Sequence, residues 1–162
     1  MDEKSTVYLE TTIPSYLTGR STKDILVVAK QLLTRTWWES SSHAYRLVIS
    51  NLVLLEAGLG DSSAAARRIE CLKDIPVLPS DHATEALTAN ILKTSLFPQQ
   101  ATADAAHIAI AARHGIDFLL TWNCRHIANA NIFHKIQSVI EATGFRMPII
   151  CTPEELSWKQ TL

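Results

Sequence analysis

Glycine, cysteine and net charge are all scarce in this chain, and each scarcity removes a class of protein. Only 5 of the 162 residues are glycine. The one close pair, GLG at 58–60, lacks the GxGxxG frame and follows a helical pattern rather than a strand, which argues against a nucleotide-binding phosphate loop. The three cysteines, Cys71, Cys124 and Cys151, are far apart and form no CxxC pair. They predict reduced core or half-buried thiols, not a zinc site or a disulfide framework. A formal net charge of −1 excludes a protein that coats nucleic acid by bulk electrostatics. A local basic groove remains open, with Arg113, Arg125, His126, Lys135 and Arg146 as its candidates. No stretch reaches the roughly 18 apolar residues of a membrane span, and MDEKSTVYLETT has acids and no long apolar core, so it does not read as a secretory signal. A cytoplasmic protein is expected.

What the chain does have is short apolar runs, each ended by a polar group. Glu10 closes the run in VYLETTIPSYL, Glu56 closes SNLVLLE, Asp104 lies in the Ala-rich TADAAHIAIAARHG, and Asn123 ends DFLLTWN. Carboxylates beside so much apolar sequence need something to offset their charge, and for several converging carboxylates a divalent cation does so. Each has a plainer reading as well. Asp104 near a helix start complements the helix dipole, and Glu10 serves as a strand-end turn residue. The conjunction points to a metal-dependent enzyme.

The apolar runs alternate with longer helical patterns, which is the signature of an α/β domain with a mainly parallel sheet. VYLE at 7–10 reads as the first strand, with a break at Pro14 and a helix over 22–40 in which Ile25, Val28, Ala29, Leu32, Leu33 and Trp37 recur at helical spacing. RLVIS at 46–50 is the second strand, and Ser50 or Asn51 caps the helix that carries Glu56. Another helix runs from Ser62 to about Lys73. PVLP at 76–79 is short and proline-flanked, as an edge strand is. Asp81 caps a helix towards Leu96, and Thr102 caps the helix of Asp104 and His107, which Gly115 closes. FLLTW at 118–122, a helix from near Ile127 to Ala142, and PIIC at 148–151 complete one domain over 1–162.

In open parallel sheets, ligands gather outside the carboxyl ends of the strands. Glu10 and Asn123 fall there, Glu56 sits one to two turns into the next helix, and Asp104 lies in the first turn of its own. Thr11, Thr12 and Thr121 are placed to orient ligands by hydrogen bonds. His107, one turn past Asp104, reads first as a satisfied core histidine and second as a ligand-orienting group. Arg125 and His126 read as solvated surface or as phosphate or partner contacts, and Trp37 and Trp38 as core or dimer-contact aromatics.

VYLETTIPSYL, SNLVLLE, TADAAHIAIA and LLTWNCRHIAN at 119–129 resemble, in order and spacing, the successive motifs of PIN-domain ribonucleases, and among them the VapC-like toxins of type II toxin–antitoxin pairs. The resemblance implies a three-layer α/β/α PIN-like domain with a central parallel five-stranded sheet. It also implies an endoribonuclease that hydrolyses RNA phosphodiesters with Mg²⁺ or Mn²⁺ held by clustered acids, a cognate antitoxin partner and a homodimer. The family's acids fall on Glu10, Glu56, Asp104 and Asn123. Glu10 is one methylene longer than the usual Asp, and Asn123 keeps an oxygen ligand but removes a charge. One tightly held ion is expected, a second arriving with RNA. The alternative is a catalytically weak PIN-like module that binds RNA or protein.

Overall fold

The computed structural model describes residues 3–157, and its centre is a parallel sheet of strands β1 (Thr6–Leu9), β2 (Arg46–Ser50), β3 (Val77–Leu78), β4 (Phe118–Leu120) and β5 (Ile149–Cys151). Their order is β3-β2-β1-β4-β5, with every pairing parallel. All four residues of β1 are buried, because the middle strand of a parallel sheet is covered on both faces and must be apolar throughout. The short PVLP strand lies at one edge and the final strand at the other.

Among the described residues, seven α-helices connect the strands: α1 (Thr12–Thr18), α2 (Ile25–Ser40), α3 (Asn51–Ala57), α4 (Ser62–Leu72), α5 (His82–Leu92), α6 (Thr102–Arg113) and α7 (Ala130–Ala142). The chain steps one way across the sheet from β1 to β3, then returns past β1 to β4 and β5. With right-handed crossovers, a reversal of direction moves the connecting helices to the opposite face. Accordingly α1 packs against α2 and α4, and α5 against α6 and α7. These layers enclose a core that includes Tyr8, Leu9, Ile13, Trp37, Ile49, Ile108 and Leu119.

Several elements differ from the sequence reading. The segment around Pro14 is a helix rather than a break, since Pro14 falls in the first turn of α1, where a missing N–H leaves no bond unmade. Helix α2 begins at Ile25 with Asp24 as its cap, accepting from the Leu26 and Val27 amides. Its buried face is Gln31, Thr34 and Trp37, so much of the apolar spacing points outward: Ile25 is 83% and Leu32 63% exposed. Helix α5 stops at Leu92 rather than Leu96, because Ser95 turns left-handed (φ 58°). Thr102 does not cap α6. That position is Ala101, and the Thr102 hydroxyl donates instead to the Gln99 carbonyl. Helix α7 starts at Ala130, not Ile127, with the Asn129 side chain capping it. Ser50 and Asp81 are the caps of α3 and α5 as expected, and Gly115 takes the positive φ that ends α6.

Candidate metal centre

The chain's path across the sheet reverses between β1 and β4, the place at whose carboxyl ends open parallel sheets hold ligands. Glu10 follows β1 directly and is 4% exposed. One of its oxygens, Oε2, accepts from the Thr12 amide (3.1 Å), the Thr12 hydroxyl (2.5 Å) and the Thr121 hydroxyl (2.7 Å). The same hydroxyls accept from the Trp122 and Asn123 amides, which fastens the β4 exit to Glu10. Among the described residues no donor reaches Glu10 Oε1.

Glu56 arrives from α3, whose start is fixed by the Ser50 cap. Its Oε2 accepts from the Thr11 hydroxyl and lies 2.8 Å from His107 Nε2. His107, from α6, is fully buried, and its Nδ1 is 2.7 Å from the Tyr8 hydroxyl, which is itself 2.7 Å from Ser50 Oγ. Burial pushes the Glu56 carboxyl up, but the hydrogen bond and attraction of His107, with the Thr11 hydroxyl, outweigh it and leave the group below its ordinary range. Burial also raises the Tyr8 phenol, reinforced by the charges of Glu10 and Glu56 and only partly offset by Ser50, so Tyr8 stays protonated.

Donor atoms of Glu10, Glu56 and His107 all lie within 4.8 Å of one another. Two ligands of one Mg²⁺ at about 2.1 Å are separated by at most about 4.2 Å, so a small closing motion suffices. No lysine or arginine pairs with Glu10, Glu56 or Asp104 among the described residues, and the ionic partners present are His107 and His126. Carboxylates backed by an imidazole, with no lysine or arginine to neutralise them, fit a divalent ion such as Mg²⁺ or Mn²⁺.

The other two expected ligands form a neighbouring unit. Asp104 Oδ1 accepts from Asn123 Nδ2 (3.0 Å), and Oδ2 lies 2.8 Å from His126 Nδ1. The Asn123 carbonyl oxygen accepts from the His126 amide (3.1 Å), which fixes which end of the amide faces Asp104. The structure therefore brings Glu10 and Glu56 together with His107, and Asp104 and Asn123 together with His126, the two units being joined through Thr121. The roles of His107 and His126 were the least visible in the sequence. The helical spacing of His107 from Asp104 was its only signal, and it contacts Glu56 instead.

The candidate basic residues are dispersed. Arg113 pairs with Asp81 and Arg146 with Asp117, at the far end of α6 and of β4, while Arg125 and Lys135 are exposed. Cys124 is exposed rather than half-buried. Burial pushes the Cys151 thiol up to about 12 and the Cys71 thiol up to about 11. No helix among the described residues is long and apolar enough to cross a membrane.

Fold and site together define an α/β protein with an acidic, histidine-backed cluster at the sheet's reversal point. No protein-family model and no curated protein matches the chain. Among solved structures, a chain of VapBC2 from Rickettsia felis, crystallised with a DNA fragment from its promoter, is similar. The TM-score is 0.52 over 95% of this chain and 99% of that one, at 13% identity. At that identity the likeness is one of fold.

Proposed function

We propose that the chain is a Mg²⁺- or Mn²⁺-dependent endoribonuclease that hydrolyses phosphodiester bonds of single-stranded or structured RNA, acting as the toxin of a toxin–antitoxin module. The observation that carries this reading is the convergence of Glu10, Glu56 and His107 at the carboxyl ends of the central strands. The PIN-like motifs of the sequence and the fold shared with VapBC2 support it.

Glu10 and Glu56 are the residues to hold the ion, with Asp104 and Asn123 completing the acidic rim. The ion, when bound, supplies polarisation of the phosphoryl group and acidification of water. The chain's own side chains do the rest. Thr12 and Thr121 saturate one oxygen of Glu10 and leave the other available. Thr11 and His107 together do the same for Glu56, both bonding to its Oε2. His126 and exposed Arg125 offer contacts for RNA phosphates. An antitoxin would present a basic side chain to the same carboxylates. The outward apolar residues of α2, Ile25, Leu26, Val28 and Leu32, suit a second copy in a homodimer.

A second reading, a catalytically weak binding module, is favoured by one observation: both Asp104 oxygens are engaged by protein donors. Cleavage of single-stranded RNA with and without EDTA separates the two. Glu56→Gln and Asp104→Asn should each lower metal-dependent cleavage by about 10²-fold or more with the circular dichroism spectrum unchanged. Wild-type rates in either variant would sink the nuclease site, and metal-independent or absent cleavage by the parent protein would favour the binding module.

A further inference from the structure

Three side chains from three different elements line up behind the carboxylate of Glu56. Ser50 Oγ, Tyr8 OH, His107 Nδ1 and Nε2, and Glu56 Oε2 follow one another at 2.7, 2.7 and 2.8 Å. Tyr8 and His107 are fully buried and Ser50 nearly so. Polar groups so placed are costly unless every donor meets an acceptor.

The direction of the chain follows from its last link. A carboxylate only accepts, so His107 Nε2 must carry a hydrogen to lie 2.8 Å from Glu56 Oε2. A neutral ring then has a lone pair at Nδ1, which takes the Tyr8 hydroxyl proton, and Tyr8 in turn accepts from Ser50. Ser50 Oγ is left to accept from the Val53 amide as the cap of α3. Each hydrogen has one destination. A ring protonated at both nitrogens turns the two outer bonds around but still presents Nε2–H to Glu56. The opposite neutral tautomer would set a lone pair against a carboxylate oxygen.

Ser50 thus holds Glu56 twice, through the helix that carries it and through the chain that ends on its oxygen. We propose that Ser50, Tyr8 and His107 form a buried donor chain that fixes the Glu56 carboxylate for a divalent cation, with His107 a positioning residue and not a ligand. This rests on the metal-site reading above. The ion's share of Glu56 is then Oε1, while Oε2 is committed to His107 and Thr11.

The test combines ¹⁵N-histidine NMR with Mn²⁺ calorimetry on the full chain. His107 Nε2 is expected to show a directly bonded proton in the metal-free protein and to keep it when Mg²⁺ is added. Tyr8→Phe keeps the ring and removes the link. It should weaken Mn²⁺ binding several-fold, and His107→Ala should weaken it about 10- to 100-fold, the range for partners that orient a metal ligand. His107→Gln, which can still donate to Glu56, should recover much of the loss. In RNA cleavage these variants should lower kcat and leave KM nearly unchanged. Loss of the Nε2 proton on adding Mg²⁺ would make His107 a ligand and overturn the inference. Wild-type Mn²⁺ affinity in both Tyr8→Phe and His107→Ala would do the same. Should His107→Ala fail to fold, Tyr8→Phe and the NMR signal still decide. A parent protein that keeps Nε2–H and loses Mn²⁺ affinity in the variants, yet cleaves no RNA, refutes the ribonuclease reading alone. A parent that binds no Mn²⁺ overturns both.

Discussion

Asn123 is an amide where the resembled family most often has an acid, and its surroundings explain what the amide achieves. Its nitrogen donates to Asp104 and its oxygen accepts from the His126 backbone, a pairing that a carboxylate cannot make on the Asp104 side. In Asn123→Asp two carboxylate oxygens would meet about where the 3.0 Å hydrogen bond now stands. Like charges at that range repel by a few kcal/mol at an effective dielectric near 20. The metal-free variant should therefore melt lower, on the order of 5 °C. The same charge should enlarge the stabilisation by Mn²⁺, and a second ion should bind more readily. Thermal melts with and without Mn²⁺ check this: an unchanged metal-free Tm would mean that Asn123 does not clasp Asp104.

At the scale of elements, the joint that positions the site is the pairing of β1 with β4, and Asp117 secures its amino end. The Asp117 carboxylate accepts from the Thr6 amide (2.8 Å), the Thr6 hydroxyl (3.0 Å) and Arg146 (3.0 Å). The Thr6 amide bond first, with Arg146 and the Thr6 hydroxyl, holds its pKa below the ordinary carboxylate value against the opposing effect of burial. A depressed pKa contributes stability in full above the unfolded value of about 3.9, and that stability is lost as pH falls through the lower folded value. Asp117→Asn should thus melt below the parent at pH 7, and the gap should close as pH drops below about 4. A gap that stays constant from pH 7 to pH 3 would show that the charge of Asp117 contributes nothing.

Elements governed by local chemistry were legible in the sequence. The caps at Ser50 and Asp81, the positive-φ glycine at 115 and the all-buried β1 follow from a few neighbouring residues. Helix α1 was hidden because a proline three residues into a helix reads as a break until the first turn is located. The outward apolar residues of α2 were misleading, since spacing alone does not say which face is inside. At the site, Glu10 and Glu56 stood out as acids after apolar runs. The histidines did not, because the bonds His107–Glu56 and His126–Asp104 span 51 and 22 residues and exist only in the assembled fold.

For the whole molecule, an ion held by the acids beside the sheet, as proposed, would link folding to ion binding. Any ion that binds the folded chain and not the unfolded one stabilises it by RT ln(1 + [L]/Kd), about 2.7 kcal/mol at 100 times Kd. For a chain of this length that corresponds to a rise in Tm on the order of 5–10 °C. Mn²⁺ should produce such a rise in the parent protein and little in Glu10→Gln. Equal shifts in both, measured by differential scanning calorimetry, would place the ion elsewhere.

The hydrogen bond from Thr121 to Glu10 joins residues 111 positions apart, and this has a meaning in time as well as in space. Ribosomes add roughly 5–20 residues per second, so a growing chain carries Glu10, held by Thr12 alone, for about 5–20 s before Thr121 has been synthesised. Throughout that interval β1 has no β4 beside it. Chains arrested on the ribosome before residue 118 should accordingly hold no Mn²⁺, and Mn²⁺ binding by such chains would contradict this order of assembly. A site whose members are strung from Glu10 through Glu56 and Asp104 to Asn123 cannot close before the last of them has left the ribosome.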